Sequence, residues 1–199
     1  MTRLLLWRHG QTRWNAEGRV QGQTDVELSE IGRAQAVAAA PRLAALHPDL
    51  IVSSDLRRAA DTAAALAAVT GIKVEYDTRL RERHHGVWEG LTGDEIAAGW
   101  PAERERWKAG LPVGGGLDVE ELDELGKRTV DALQEIADRA PGATVVVASH
   151  GASIRRGTAV ILGWPESAAR TLLPIGNCHW VDLRLDPVRG WQLRAYNTS

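Results

Sequence analysis

The sequence has no phenylalanine, one methionine and a single cysteine, Cys178. One cysteine excludes an internal disulfide framework and the cysteine-rich zinc motifs, and it suits a reducing compartment, so a cytoplasmic location is expected. Lysine is scarce too: Lys73, Lys108 and Lys127 are the only three among 24 cations, and the rest are arginine. No apolar run approaches the roughly 20 residues of a membrane-spanning helix, and Leu4-Leu5-Leu6 is far too short for a secretory leader. Nor is positive charge in excess. The net charge of −2 argues against nucleic acid as a partner, and a composition 44% apolar and 25% charged argues against disorder. With 199 residues and no linker, repeat or low-complexity block beyond its alanines, the chain (1–199) is expected to fold as one domain.

Short β-like runs alternate with helical ones, the pattern of an α/β fold built as three α/β/α layers on a mostly parallel sheet. Leu4–Trp7, Leu50–Val52, Lys73–Asp77 and Thr144–Ala148 read as strands. Helices are expected from Ser29-Glu30 to about Leu46 with a kink at Pro41, over Leu56–Thr70 closed by Gly71, over Asp118–Ala140, and over Ser153–Leu162. The C-terminus reads as a hairpin, Cys178–Leu185 and Trp191–Tyr196, around a turn at Asp186–Gly190; its free edge would serve a homodimer. Residues 78–117 form a less regular excursion over the active site, with a Thr92-x-x-Glu95 capping box and a Gly114-Gly115-Gly116 loop.

Three strands end in polar residues of one kind. Leu4–Trp7 runs into Arg8-His9-Gly10; Leu50–Val52 runs into Ser53-Ser54, with Arg57 and Arg58 just beyond; Val145–Ala148 runs into Ser149-His150-Gly151. Each tripeptide alone is weak, since capping or a solvated helix face would explain it. Together, at the carboxyl ends of strands in an open α/β sheet, they converge on the place where such sheets bind ligands. Two histidines and two or more arginines there seek an anion, and a phosphate ester is the natural guest, because guanidinium forks match phosphate oxygens in pairs.

These residues also carry a resemblance. The run Leu6-Trp7-Arg8-His9-Gly10-Gln11-Thr12-Arg13-Trp14-Asn15 is similar to the opening motif of the histidine phosphatase superfamily, the phosphoglycerate mutase-like proteins. The likeness continues at Gly22, Asp25, Leu28, Ser29 and Gly32, then at Ser53-Ser54-Asp55-Leu56-Arg57-Arg58-Ala59, Leu80-Arg81-Glu82, Gly86-x-Trp88-Glu89-Gly90, Ser149-His150-Gly151 and Asn177. It departs before the long helix, where family members often carry Gly-Gly-Glu-Ser and this chain has Gly115-Gly116-Leu117-Asp118; Asp118 is expected to cap instead.

The resemblance implies a phosphomonoesterase working through a phosphohistidine, without metal or other cofactor. His9 would attack phosphorus; Arg8, Arg58 and His150 would surround the phosphoryl oxygens; Glu82 would protonate the leaving alkoxide and then activate water. Asn15 and the backbone at Gly151 are further phosphate donors. Gln21, Gly22, Arg83, His84 and Lys108 are expected to hold the rest of the substrate. Glu82 lies among Arg79, Arg81 and Arg83, so a plain surface ion pair is its alternative, with Glu89 the fallback acid. A metal site at His84-His85 lacks any supporting carboxylate or thiolate spacing.

A phosphoglycerate mutase would use the same chemistry, and Glu82-Arg83-His84-His85-Gly86 is close to its Glu-Arg-His-Tyr-Gly. But Glu82 and His150 stand only 68 positions apart, and Trp107-Lys108-Ala109-Gly110 replaces the mutase Trp-Arg-Arg-Gly, which favours the phosphatase branch. A non-catalytic phospho-ligand module is the remaining alternative. The expected partner is a small phosphate ester. Ile51–Ala59 and Val20-Gln21-Gly22-Gln23 resemble actinobacterial phosphatases that act on glucosyl-3-phosphoglycerate, which points to this or another phosphorylated carboxylic acid.

Overall fold

The apolar runs pair into a six-stranded sheet, in a computed structural model that describes residues 1–113 and 116–199. Gly114 and Gly115 of the expected glycine loop lie outside the described residues. In chain order the strands are β1 (Thr2–Arg8), β2 (Leu50–Ser53), β3 (Val74–Tyr76), β4 (Thr144–Ser149), β5 (Trp180–Asp186) and β6 (Gly190–Thr198), and across the sheet they lie β3-β2-β4-β1-β5-β6. β1, β2, β3 and β4 pair parallel; β5 runs antiparallel to β1, and β6 to β5. The turn of this last hairpin is held by the Asp186 carboxylate, which accepts from the backbone of Val188 and Arg189.

Because side chains alternate across a strand, consecutive residues feed two cores. Leu4, Leu6, Val145 and Val147 pack against α6 (Leu122–Arg139) and α7 (Gly151–Ile161), through Ala132, Leu133, Ile136 and Ile154. Leu5, Trp7, Val146 and Ala148 pack against α2 (Glu30–Ala44) and α3 (Arg57–Thr70), through Ala36, Ala40, Leu43, Ala63 and Leu66. Helix–sheet–helix is the result: three layers on a mostly parallel sheet. Alanine dominates the α2 and α3 faces, so small side chains bring these helices close to the sheet and the large volume comes from Trp7 and Trp180.

Local signals place most ends. Ser29 Oγ accepts from the Gly32 amide to open α2, Pro41 stays inside its last turns, and Gly71 closes α3 at φ +74°. Four details depart from the sequence reading. α6 starts at Leu122, not Asp118, because Asp118 is left-handed at φ +53°; Glu121 stands at the N-cap and its amide donates to the Glu124 carboxylate. α7 begins at Gly151, directly after His150, two residues earlier than expected. The 78–117 stretch is more regular than expected. It holds 3₁₀ turns at Thr78–Leu80 and Gly86–Trp88, and two helices, α4 (Gly93–Gly99), with the Thr92/Glu95 capping box, and α5 (Pro101–Lys108), announced by proline at its first position. They close over a small core of Trp88, Ile96, Val113 and Leu117. The short helices α1 (Arg13–Ala16) and α8 (Glu166–Ala169) carry too little periodicity to be read from sequence. No helix among the described residues is long and apolar enough to cross a membrane.

Candidate active site

Sheet register assembles the site. In the strand order β2-β4-β1, Arg8 lies beside Ser149 and Ser53 beside Ala148, so the residues that follow, His9, Ser54 and His150, emerge together at one sheet edge. The imidazoles of His9 and His150 stand 5.2 Å apart between ring centres, both fully buried. Arg58, from the first turn of α3, is also fully buried; its terminal nitrogens donate to the carbonyls of Gly22 and Thr24 at 2.7 and 2.8 Å. Arg8 donates to the Ile175 carbonyl. Each of these guanidinium groups keeps a buried Nε without a protein acceptor. A buried donor without an acceptor carries a desolvation penalty, which an incoming anion relieves.

His9 is oriented by a single contact. Its Nδ1 lies 2.7 Å from the Gly10 carbonyl, and a carbonyl only accepts, so Nδ1 carries the proton and Nε2 presents a lone pair. Burial, then the charges of Arg58 and Arg8, hold its pKa well below 6.5, and the ring is neutral at pH 7. Burial and Arg58 do the same to His150, whose Nε2 lies 2.8 Å from Ser54 Oγ while Nδ1 has no protein partner. The loop carrying His9 is fixed from behind. The Gly10 amide donates to Thr62 Oγ1, Asn177 Nδ2 donates to the His9 carbonyl, and Gly10 lies against Gly32 so closely that an added Cβ would meet its carbonyl oxygen at 2.3 Å.

Glu82 reaches the site from the irregular stretch. Its carboxylate accepts from the amides of Arg83 (2.9 Å), Ala152 (3.1 Å) and Ser153 (3.2 Å), the last two at the positive end of α7. The loop itself is clamped by Arg128 of α6, which donates to the carbonyls of Arg79, Arg81 and Glu82 and pairs with Glu120. Arg81 is drawn off to Asp55 and Arg79 to Asp77, so neither neutralises Glu82. One cleft is lined by Arg8, His9, Asn15, Gln21, Gly22, Arg58 and Glu82; His150 lies against it, beneath His9. Gly151 lines an adjoining cleft with Arg8 and Glu82. A neutral imidazole with a free nitrogen, one buried and one half-buried cation and a carboxyl group across the cleft make a constellation suited to transferring a phosphoryl group.

The model of the histidine phosphatase superfamily (branch 1) matches residues 4–199. The chain belongs to this family. It is 43% identical to a glucosyl-3-phosphoglycerate phosphatase of Mycolicibacterium vanbaalenii, over 99% of this chain and 95% of that one. It is 38% identical to a probable phosphoglycerate mutase of Shigella boydii, over 89% of this chain and 82% of that one. Among solved structures, a mycobacterial glucosyl-3-phosphoglycerate phosphatase in complex with VO3 superposes with a TM-score of 0.91 at 39% identity, covering 99% of both chains.

The expected substrate-holding residues of this histidine phosphatase separate in space. Gln21 and Gly22 line the cleft beside Arg58. His84 is outside it: its imidazole bridges Glu89 and Asp118, at 3.0 and 3.1 Å. The next residue, His85, lines the cleft instead, nearly buried and edge-on to Trp107; burial brings its pKa down to about 4. Lys108 pairs with Glu105, and with Arg83 it lines a neighbouring cleft that His85 shares. Glu89 is spent on structure, accepting from the amides of Gln23, Thr24 and His85. Sequence reading missed Arg19 and Val20 as cleft residues and Ser54 as the partner of His150. Only Ser54 carried a signal, lying at a strand end. Among the described residues no group of three or more His, Cys, Asp or Glu is arranged to hold a metal ion.

Proposed function

We propose that residues 1–199 form one catalytic domain that hydrolyses a small phosphorylated carboxylic acid, with glucosyl-3-phosphoglycerate the leading candidate. The protein is a phosphoric monoester hydrolase, and its family works through a phosphohistidine. The observation that carries the residue assignment is the state of His9: buried, neutral, with Nδ1–H on the Gly10 carbonyl and Nε2 left as a nucleophile among cations.

In the first step Nε2 of His9 attacks phosphorus in line with the ester oxygen. Arg8, Arg58, His150, Asn15 and the backbone at Gly151 hold the equatorial oxygens, which give the Nε groups of Arg8 and Arg58 the acceptors that the protein itself does not supply. Glu82 gives its proton to the departing alkoxide. In the second step Glu82 takes a proton from water, which attacks the phosphohistidine and frees His9. Cationic side chains neutralise the developing charge, so no metal is assigned. Gln21, Gly22, Arg83 and His85 face the part of the substrate beyond the ester oxygen, and we place the protein in the cytoplasm, consistent with its one unpaired cysteine.

A phosphomonoester panel tests this reading, run with chelator throughout and with His9→Ala protein as background. It should include glucosyl-3-phosphoglycerate, 3-phosphoglycerate, phosphoserine and nitrophenyl phosphate. Phosphate release that vanadate inhibits and chelator does not is the expected outcome. Appearance of 2-phosphoglycerate from 3-phosphoglycerate in place of free phosphate would assign the mutase activity instead; activity lost in chelator and restored by zinc or manganese would make the histidines ligands.

A further inference from the structure

Arg155 belongs to none of the assignments above. It lies on the exposed face of α7, one helical turn beyond Gly151 and three residues past Ala152, whose amide holds Glu82. It lines the cleft it shares with Arg8, Glu82 and Gly151, and it also lines the neighbouring cleft with Arg83 and His85. The cations around it are committed to acids: Arg156 to Asp123 and Glu166, Arg170 to Glu166, Lys108 to Glu105. Among the described residues Arg155 has no ion pair and no hydrogen bond. Arg83, across the cleft, spends only Nε on the protein, donating to the Glu120 carbonyl. Burial foremost weakens the hold of Arg83 on its proton; the charges of Glu121, Glu120 and Glu82 oppose this, and that of Arg155 adds to it. Two like charges with unused donors thus face one space on the side of Glu82 where a leaving group must depart.

We propose that Arg155, opposite Arg83, is a specificity-determining residue that binds a carboxylate on the leaving group of the substrate. The inference rests on the phosphoester reading and deepens it. A guanidinium fork matches a carboxylate in two parallel hydrogen bonds. The carboxylate of an ester such as 3-phosphoglycerate lies only a few bonds beyond the oxygen that Glu82 protonates, and Arg155 lies one turn of helix beyond the amides that fix Glu82. A carboxylate there gives Arg155 the acidic partner it lacks and takes up the terminal donors of Arg83 that the protein leaves unused.

The test separates binding from turnover. In His9→Ala protein, 3-phosphoglycerate should bind about tenfold more tightly than glycerol 3-phosphate, in which an alcohol replaces the carboxylate. Adding Arg155→Ala should bring the two ligands within about twofold of each other, and Arg155→Lys should restore part of the difference by keeping charge without the fork. Equal binding of both ligands to His9→Ala protein, or a preference that survives Arg155→Ala, overturns the proposal. Turnover is measured separately with His9 intact. A carboxylate preference abolished by Arg155→Ala, in a protein that hydrolyses no ester of the panel, glucosyl-3-phosphoglycerate included, would remove the hydrolase reading and leave the subsite standing.

Discussion

The two sides of the cleft are built differently. On the proposed phosphate side, His9, His150, Arg8 and Arg58 come from strand ends and the first turn of a helix, three of them buried against the sheet and Arg8 half-buried. On the leaving-group side, Glu82, Arg83 and His85 come from coil and 3₁₀ turns, held by side-chain clamps such as Arg128 on three carbonyls and Glu89 on three amides. The first design fixes reacting groups through backbone register, which a surface substitution cannot shift. The second lets the lining vary without disturbing the sheet. Chemistry common to a family belongs on the first side, and substrate choice on the second.

Removing His9 gives the largest break on the phosphate side. His9→Ala should lower turnover at least about 10³-fold, as loss of a nucleophile does, while the fold survives because little apolar volume goes. Acid-quenched wild-type protein should carry an acid-labile phosphate that the variant lacks. Hydrolysis at the normal rate by the variant would end the covalent mechanism.

Glu82 tests the other side. With an alkyl phosphate, Glu82→Gln should slow turnover by roughly 10²–10⁴-fold, because the departing alkoxide is strongly basic. With nitrophenyl phosphate the burst of nitrophenol, which isolates the first step, should lose far less. Equal losses in that step for both leaving groups would reduce Glu82 to shaping the cleft.

Buried neutral histidines on both sides make stability fall in mild acid. An unfolded histidine takes its proton near 6.5, whereas folded His9 and His150 stay neutral well below that, and His85 down to about 4. From 6.5 downward the unfolded chain therefore binds more protons than the folded one, and stability drops as the pH falls. Between 6.5 and about 5.5 the histidines dominate this loss; nearer 4.5 Glu89, held below the usual carboxylate range in the fold, adds a share of its own. The expected loss is roughly 1–2 kcal/mol per buried histidine by pH 5, read from urea midpoints. His85→Leu should remove about a third of the slope. A flat profile would mean that these rings take up protons without unfolding.

The contrast also explains what could be read from the sequence. Apolar runs abutting Arg8-His9-Gly10, Ser53-Ser54 and Ser149-His150-Gly151 announce strand ends, and strand ends in a parallel sheet converge by topology, so the phosphate side was legible. Strand positions and the helices packed on them followed from the same periodicity. On the other side, His84 and His85 are adjacent identical residues in coil, where no period says which one turns inward. Here Glu89 and Asp118, 5 and 34 positions away, hold His84 outside. The same long-range contact misled the reading of α6, since Asp118 looks like a cap in sequence but adopts a left-handed turn. Arg155 was overlooked for a related reason: nothing local distinguishes a cation that lacks an acid from Arg156, which has two.

Glycine substitutions give the smallest and most local form of the contrast, one on each side. Gly10, next to His9, lies where a Cβ would meet the Gly32 carbonyl oxygen at 2.3 Å, backbone against backbone with α2, and neither partner is a flexible side chain that can step aside. Gly10→Ala should therefore cost about 1–3 kcal/mol, the usual range for forcing a methyl into a packed site. Gly99 ends α4 on the leaving-group side, with nothing within 4 Å of an added Cβ and no left-handed φ to strain. Gly99→Ala should be neutral or stabilising by less than about 1 kcal/mol, because alanine loses less backbone entropy on entering a helix. Thermal or urea midpoints of the two variants, measured together, decide the matter. If Gly10→Ala proves as harmless as Gly99→Ala, the phosphate-side backbone can retreat from α2, and rigidity no longer distinguishes the side that holds the phosphoryl group from the side that chooses its ester.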